Sequence, residues 1–308
     1  MSKCAALMSL FTVKPTGEGM LQNTMSKRPW RPQTADGCDE TRFIPSRQRL
    51  FRDLYFSKQS PYGAYSSFTP RERARYSTIY PSSAQRSGGV IRSKVLAALG
   101  SHPEVIVEVG SFIGSGAINV WGKLANEGRA PSQHSRLVLC VDPWQGDLIM
   151  RLDGEENAKV DKIFGTDIRG GYSHLVETFM RRVLTENLSD TIYPVAIPSL
   201  SGARFLYMLG YKLDIVYVDS AHERGETAAE LLLWYDVLRP GGLLMGDDLY
   251  GFPAVAHDVM LVTRCLNLTL DTFGRGRNQW MIQKPLKGAA NDRCSQQSGE
   301  GTFGSPSP

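Results

Sequence analysis

The sequence of 308 residues has few of the features that mark membrane, disulfide-rich or nucleic-acid-binding proteins. No apolar run approaches the ~20 residues that a membrane-spanning helix needs, so no integral membrane segment is predicted. The five cysteines are odd in number and lack paired spacing, which argues against a disulfide framework or a zinc site. A net charge of +4 is too small to indicate a nucleic-acid partner. These absences favour a globular protein of a reducing, cytoplasmic compartment.

Composition divides the chain into four segments. Residues 1–45 show little periodicity and predict a disordered or loosely ordered arm, with organelle targeting left open because the first thirty residues hold a single acid. Residues 46–87 form an aromatic and Arg-rich extension that could cover an active site or pad the domain. Residues 88–284 hold the regular pattern described next. Residues 285–308 are rich in Ser, Gly and Gln and predict a disordered tail.

Strand and helix patterns alternate through residues 88–284. This order predicts an α/β fold with a Rossmann-like, seven-stranded, mostly parallel sheet, helices on both faces and an antiparallel closing strand. The closing pair is expected at Leu268–Phe273 and Gln279–Gln283. The polar insertion from Gln145 to Gly171 is typical of a mobile lid. In the crossover helix from Glu226 to Leu238, one face should pack on the sheet while the following acids reach solvent: Glu226, Glu230 and Asp236.

Acidic residues end two neighbouring buried strands. Asp219 follows the apolar run Ile215 to Val218, and Asp247 and Asp248 follow the run Leu243 to Met245. A right-handed crossover between parallel strands places both carboxyl ends at one edge of the sheet, only ~4.8 Å apart. We therefore expect Asp219, His222, Asp247 and Asp248 to converge in one site.

A glycine-rich turn follows the first strand, from Glu108 to Gly116. It lacks the Gly-Lys-Ser/Thr ending of a phosphate-binding loop, which argues against an NTPase. Its glycines stand at 110, 114 and 116 rather than in the dinucleotide spacing, and Glu108 suits a positively charged amino-acid head group better than a pyrophosphate. Asp142, at the end of the second strand, is placed to accept hydrogen bonds from a ribose. An NAD enzyme would use the same device, so Asp142 indicates adenosine and not a reaction.

Together these motifs resemble the class I S-adenosylmethionine-dependent methyltransferases. The resemblance spans residues 88–284 and is closest to the methyltransferase 24, macrocin O-methyltransferase and cephalosporin-hydroxylase-like group. The following motifs carry it: Glu108-x-Gly110-x-x-x-Gly114, Val141-Asp142-Pro143-Trp144, Asp219-x-x-His222, Leu238-x-Pro240-Gly241-Gly242 and Gly246-Asp247-Asp248. The resemblance implies that S-adenosylmethionine is bound by Glu108, Gly110, Ser111, Gly114, Asp142 and Ser199, with Ser199 near the adenine.

The resemblance also implies a divalent metal and a reaction. Asp219, Asp247 and Asp248 would hold Mg²⁺ or Mn²⁺, which prefer oxygen ligands, and His222 and Asp219 would be catalytic, with His222 as the base. The expected activity is metal-assisted O-methylation of a small-molecule hydroxyl. The substrate's identity and the oligomeric state, including a homo-oligomer, are left open.

Two other functions fit parts of the pattern. A non-catalytic or cephalosporin-hydroxylase-like protein would bind the same cofactor without methyl transfer. An NAD-dependent oxidoreductase would use the glycine turn and Asp142 but would leave the acidic cluster unexplained. Five aromatic residues are expected in the core or at its rim: Trp144, Tyr172, Tyr250, Phe252 and Trp280. Among them, Tyr250 and Phe252 are the preferred candidates for a substrate wall.

Overall fold

The computed structural model describes residues 46–79, 83–128, 136–146, 174–220 and 222–286. The predicted arm at 1–45, most of the predicted lid and all but two residues of the predicted tail lie outside these ranges. Across the ranges described, none of the helices combines the length and hydropathy that crossing a membrane requires.

The described elements form a seven-stranded sheet with helices on both sides. The strands are β1 Val105–Val109, β2 Leu137–Val141, β3 Ile192–Val195, β4 Leu213–Val218, β5 Leu238–Gly246, β6 Leu270–Phe273 and β7 Gln279–Gln283. The helices are α1 Arg47–Tyr55, α2 Pro70–Ile79, α3 Ser83–Leu99, α4 Ala117–Gly122 continued by Lys123–Asn126, α5 Leu175–Thr185, α6 Ser199–Met208, α7 Glu226–Val237 and α8 Pro253–Cys265. A 3₁₀ turn, Arg275–Arg277, precedes β7.

The strand order is β3-β2-β1-β4-β5-β7-β6. Strands β1 to β5 pair in parallel, whereas β7 is antiparallel to both β5 and β6. The predicted Rossmann-like sheet with an antiparallel closing strand is thereby confirmed. The order reverses between β1 and β4, and this switch point is where ligands bind in open α/β sheets.

The central strands are buried on both faces. Every residue of β1, β2 and β4 is buried, which explains why these runs are aliphatic rather than alternating. Val107 and Val216 face a cluster shared with α6, α7 and α8, and Ile106 and Ile215 face the opposite cluster with α3, α4 and α5. An apolar layer therefore packs against each face of the sheet, and this packing fixes the positions of the strand ends.

The crossover helix α7 is buried more completely than its sequence pattern predicted. Glu226 and Asp236 are exposed as expected, but Glu230 retains only 4% of its accessible surface, so the prediction that it reaches solvent was wrong. The reason is that α7 contacts α6 and α8 as well as β4 and β5. A helix flanked on both sides has only a narrow exposed face.

The amino-terminal extension seals the outer edge of the sheet at β3. Tyr62 Oη donates to the carbonyl of Ile192 at 2.7 Å, and Tyr55 Oη donates to the carbonyl of Pro194 at 2.8 Å. The outward N–H of Ile192 bonds to Leu188 O, and Pro194 has no N–H to offer. An edge strand normally presents unpaired groups that can template pairing with another chain. Here the outward groups of residues 192 and 194 are satisfied.

The same extension is anchored to α5. The Arg181 guanidinium donates to both carboxylate oxygens of Glu72 at 2.9 Å and lies 4.6 Å above the Phe68 ring centroid. The Phe68 N–H also donates to Thr185 Oγ1 at 2.8 Å. These contacts hold residues 46–79 against the sheet edge and α5.

A buried acid ties together the amino-terminal ends of three strands. Asp214 Oδ2 accepts the N–H groups of Glu104 and Val105 at 2.7 and 3.0 Å. Its Oδ1 accepts Arg239 Nε at 2.6 Å, and the side chain is 2% exposed. This latch lies at the opposite strand ends from the acidic cluster and serves the fold.

Two cysteines fall within the described ranges. Cys140 is a buried free thiol on β2. Cys265, the last residue of α8, is disulfide-bonded, which the unpaired cysteine spacing did not predict.

Candidate active site

The glycine turn after β1 packs directly against the loop that follows β4. Gly110 has a φ of +83°, and a Cβ built there would lie 1.9 Å from the carbonyl oxygen of Asp219. Gly114 has a φ of +80°, and its Cβ would lie 2.8 Å from Phe179 Cδ2. Both positions therefore require glycine for contacts within the protein. Their predicted part in admitting a cofactor stays a prediction.

Glu108 lies buried beneath the start of α4. A Cβ at Gly116 would lie 2.1 Å from Glu108 Oε1, so only glycine leaves room for this carboxyl. Burial raises the pKa of Glu108 to about 8, opposed by hydrogen bonds from Ser111 and the Ala117 N–H. Within the described part of the chain, Glu108 Oε2 has no hydrogen-bond partner. A buried carboxyl oxygen in this state is an acceptor available to a ligand.

Asp142 organises the turn as well as facing the site. Its Oδ2 accepts the Phe112 N–H at 2.7 Å, and its Oδ1 accepts the Trp144 N–H at 2.5 Å. Phe112 and Trp144 both have left-handed backbones, with φ of +46° and +51°, so the carboxylate supports two unfavourable conformations. Burial raises the pKa of Asp142, and these two hydrogen bonds oppose that rise. Each carboxylate oxygen keeps a second lone pair for a further donor.

The two predicted serines differ in their surroundings. Ser111 is 4% exposed and lies within the turn beside Glu108. Ser199, the first residue of α6, accepts a hydrogen bond from Trp234 Nε1 at 3.0 Å and bonds to Glu230. The Ser199 hydroxyl is thus engaged with α7, and its predicted contact with adenine stays a prediction.

Asp219, His222 and Asp248 converge as the topology predicted. One ligand atom from each lies within 4.8 Å of the others, an arrangement that could hold a metal ion. His222 Nε2 is 3.0 Å from Asp248 Oδ2. The imidazole also stacks on Phe252, with ring centroids 3.9 Å apart and planes 16° apart. A carboxylate on one side and an aromatic face on the other fix the orientation of the His222 ring.

Asp247 stands beside this cluster and contacts its supports. Its Oδ1 accepts Asn278 Nδ2 at 2.9 Å and the Asp248 N–H at 2.8 Å. The Tyr217 hydroxyl lies 3.5 Å from its Oδ2. Asp248 has a left-handed φ of +60°, so the chain reverses sharply here and the two adjacent acids face different surroundings. The predicted role of Asp247 as a metal ligand stays a prediction.

The cluster's carboxyl groups have opposite shifts in pKa. Asp219 keeps an exposed edge toward the cleft, yet desolvation by the surrounding protein, followed by the charges of Asp247 and Asp248, raises its pKa to about 7. The hydrogen bond from His222 lowers the pKa of Asp248 against the opposing effect of desolvation. Mutual repulsion among carboxyl groups is what a bound cation would relieve.

Asn278 is a site residue that the sequence did not reveal. Its Oδ1 accepts the N–H groups of Tyr250 and Gly251 at 3.0 and 2.9 Å. Its Nδ2 donates to Asp247 Oδ1 and, at 3.2 Å, to Asp248 Oδ1. Asn278 therefore holds the acidic turn after β5. The only sequence signal was the predicted hairpin before β7, which returns the chain to this turn.

The sequence also did not reveal the contacts of Arg182, because this residue lies far from the glycine turn along the chain. From α5 its Nη1 donates to the carbonyl of Ile113 at 2.8 Å and to Ser115 Oγ at 3.1 Å. The glycine turn is thus held from outside by a cation that is distant in the sequence.

The aromatic residues divide between core and surface. Trp144 and Trp280 are 3% and 0% exposed, which places both in the core. Tyr250 is 63% exposed beside the acidic turn, and Phe252 is partly buried against His222. Both residues lie beside the acidic cluster, and their predicted role as a substrate wall stays a prediction.

Comparison with known proteins found a matching family model and similar solved structures. Residues 107–249 match the family model of a methyltransferase domain. No curated protein matches the chain significantly. Among solved structures, the O-methyltransferase TomG from Streptomyces achromogenes is 14% identical with a TM-score of 0.45, covering 76% of this chain and 95% of its own. A Bacillus cereus O-methyltransferase is 11% identical with a TM-score of 0.41, covering 77% and 96%. Likeness at this level does not extend to activity or substrate.

The matched segment contains the features described above. It runs from the middle of β1 to the acidic turn after β5, and so includes the glycine turn, Asp142, Asp219, His222 and Asp248. The seven-stranded, mostly parallel sheet and its antiparallel closing strand are those that the sequence predicted. Over residues 107–249 the chain is therefore similar to a methyltransferase domain.

Proposed function

We propose that the protein transfers the methyl group of S-adenosylmethionine to a hydroxyl of a small molecule, with the assistance of a divalent metal. The observation that carries the proposal is the convergence of Asp219, His222 and Asp248 beside the glycine turn. An imidazole base and two carboxylates at the edge of a cofactor cleft suit deprotonation of a hydroxyl next to an electrophilic methyl group.

The residues around the turn fit a cofactor with a cationic head group and a ribose. The unpartnered Glu108 Oε2 would accept a hydrogen bond from the ammonium of the methionine part, which would also favour the ionised carboxylate. Asp142, with a free lone pair on each oxygen, would accept the ribose hydroxyls. Gly110 and Gly114 would shape the turn between these acids.

The acidic cluster fits a hard cation. Asp219 and Asp248 offer oxygen donors of the type that Mg²⁺ and Mn²⁺ prefer, and we assign Asp247 as the third oxygen ligand. When bound, the metal would lower the pKa of the acceptor hydroxyl and orient it. Asn278, which hydrogen-bonds both Asp247 and Asp248, would keep these carboxylates in place.

His222 would act as the base. Its Nε2 faces the cluster and is oriented by Asp248 and by the Phe252 ring. Because Nε2–H donates to Asp248, the acceptor O–H would give its proton to the other imidazole nitrogen, Nδ1, and the oxygen lone pair would attack the sulfonium methyl carbon. The new C–O bond forms as the C–S bond breaks, and S-adenosylhomocysteine leaves with the electron pair on sulfur. Positioning of the two reactants can supply ~7 to 11 kcal/mol of the rate gain.

The test separates metal binding from base catalysis. Binding of Mn²⁺, followed by electron paramagnetic resonance, is compared in wild type, Asp219→Asn and His222→Gln, together with methyl transfer from labelled S-adenosylmethionine to a panel of vicinal diols and catechols. We expect Asp219→Asn to lose both Mn²⁺ binding and transfer, and His222→Gln to lose transfer while keeping Mn²⁺. Unchanged Mn²⁺ affinity and turnover in Asp219→Asn would contradict the metal assignment.

A further inference from the structure

One buried acid close to the candidate site has no part in the chemistry proposed above. Glu230 lies in the middle of α7 and is 4% exposed. Its Oε2 accepts the Ser220 hydroxyl at 2.6 Å, and its carboxyl also hydrogen-bonds the Ser199 side chain. Desolvation raises the pKa of Glu230 to about 7, opposed by these two hydroxyl groups. The carboxyl group of this interior acid is thus hydrogen-bonded by serines from two other elements.

The carboxyl group of Glu230 is a polar group in an otherwise apolar part of α7. Leu231, Leu233 and Trp234, its neighbours on α7, belong to the large apolar cluster under the sheet. Burying an acid costs stability unless it is well hydrogen-bonded, and an apolar residue of similar volume is often equally stable or more so. Stability therefore does not explain a carboxyl group here, and the segments bound by its two hydrogen bonds indicate its function.

The first hydrogen bond holds the loop that carries the candidate base. Ser220 directly follows Asp219, and His222 is two residues further on. The far end of this loop is also fixed, because the buried Asp258 on α8 accepts the N–H of Gly225 at 2.6 Å. Ser220 is thus attached to α7, and Gly225 is attached to α8.

The second hydrogen bond reaches the start of α6. Ser199 is the first residue of that helix and also accepts Trp234 Nε1 at 3.0 Å. Because α6 begins just beyond the carboxyl end of β3, this hydroxyl lies on the side of the cleft predicted for adenine. Glu230 thus joins the β4 loop to the β3 loop through one side chain.

We propose that Glu230 is a positioning residue, which sets the placement of Asp219 and His222 by holding Ser220 against α7. The inference rests on the proposed function for its kinetic consequences, and the contact itself can be tested without turnover. Residues that orient metal ligands or a base typically change affinity or rate about 10- to 100-fold when they are lost.

The variants are chosen to separate the two hydrogen bonds. Glu230→Leu removes both acceptors at similar volume, and Glu230→Gln keeps one acceptor oxygen. Ser220→Ala breaks the contact with the β4 loop, and Ser199→Ala breaks the contact with α6. We expect Glu230→Leu and Ser220→Ala to lower kcat about 10- to 100-fold with little change in KM for S-adenosylmethionine. We expect Glu230→Gln to restore most of the loss, and Ser199→Ala, which leaves the Ser220 contact intact, to lower kcat less than Ser220→Ala does.

A readout independent of activity is the imidazole nitrogen spectrum of His222, assigned by comparison with His222→Gln and followed at constant pH. Glu230→Leu and Ser220→Ala should shift the His222 resonances, while those of the exposed His174 stay in place and serve as the internal control. Unshifted His222 resonances in both variants, with melting curves that show them folded, would overturn the inference. Shifted resonances in a protein that neither binds S-adenosylhomocysteine nor transfers methyl groups would overturn the proposed function alone.

Discussion

Replacing Glu108 by Gln tests the assignment of the methionine-binding acid. In the ligand-free protein the pKa of Glu108 is raised to about 8, so the protonated form predominates at pH 7. A cationic head group beside the unpartnered Oε2 would select the ionised form. We therefore expect binding of S-adenosylhomocysteine at pH 7 to release up to one proton from this position. The Glu108→Gln variant has no proton to lose there.

The assay is isothermal titration in two buffers of different ionisation enthalpy, which gives the number of protons released. At pH 8, where ionising Glu108 costs little, the lost charge-assisted hydrogen bond should weaken binding by ~1.5 to 3 kcal/mol, which is about 10- to 150-fold. Equal proton release by wild type and Glu108→Gln, or equal affinity at pH 8, would refute the assignment.

The same substitution has a consequence for stability whose sign is fixed. The folded-state pKa of about 8 lies above the ordinary value of 4.5, so the folded protein binds this proton more tightly than the unfolded chain. The contribution of Glu108 to the free energy of unfolding is therefore largest below about pH 4.5. It decreases as pH rises toward 8, by about 1.4 kcal/mol per pH unit at most. Denaturation across this range should show a steeper decline for wild type than for Glu108→Gln.

Three further predictions concern the fold and the cofactor cleft. Tyr62→Phe removes the hydroxyl that donates to the Ile192 carbonyl on β3, and it should lower the free energy of unfolding in urea titrations by about 1 to 3 kcal/mol. The control, Tyr207→Phe at a half-exposed side chain, should change the free energy of unfolding by less than about 0.5 kcal/mol. Arg239→Met removes the ion pair of the buried Asp214 and should cost about 3 to 5 kcal/mol without weakening cofactor binding by the folded protein, because this latch lies at the far end of the strands. Asp142→Ala should weaken binding of S-adenosylhomocysteine by ~1.5 to 3 kcal/mol per lost hydrogen bond, measured by titration calorimetry, and undiminished affinity would contradict the ribose assignment.

The sheet and the location of the site follow from local patterns in the sequence. Buried strands are recognisable in the sequence as short aliphatic runs. Because these strands are parallel, their carboxyl ends lie at the same edge of the sheet. This reasoning was enough to predict that Asp219 and Asp248 converge. The glycine turn was equally visible, although the sequence did not show that Gly110 and Gly114 are required by contacts with Asp219 and Phe179.

The remaining features depend on contacts between segments that are distant in the sequence. Helical periodicity placed Glu230 toward solvent, because a pattern along one helix does not show how closely the neighbouring helices flank it. The different surroundings of Asp247 and Asp248 depend on the left-handed reversal at Asp248, which two consecutive acids do not encode. Asn278 reaches the acidic turn only because β7 pairs antiparallel with β5. Each of these features is decided by tertiary packing.

The central claim, that the cleft binds S-adenosylmethionine for methyl transfer, is tested most directly by titrating the protein with S-adenosylhomocysteine, with and without Mg²⁺, and with NAD as a control. We predict micromolar binding of S-adenosylhomocysteine in both conditions and no binding of NAD. An absence of S-adenosylhomocysteine binding, or binding of NAD in its place, would contradict the account.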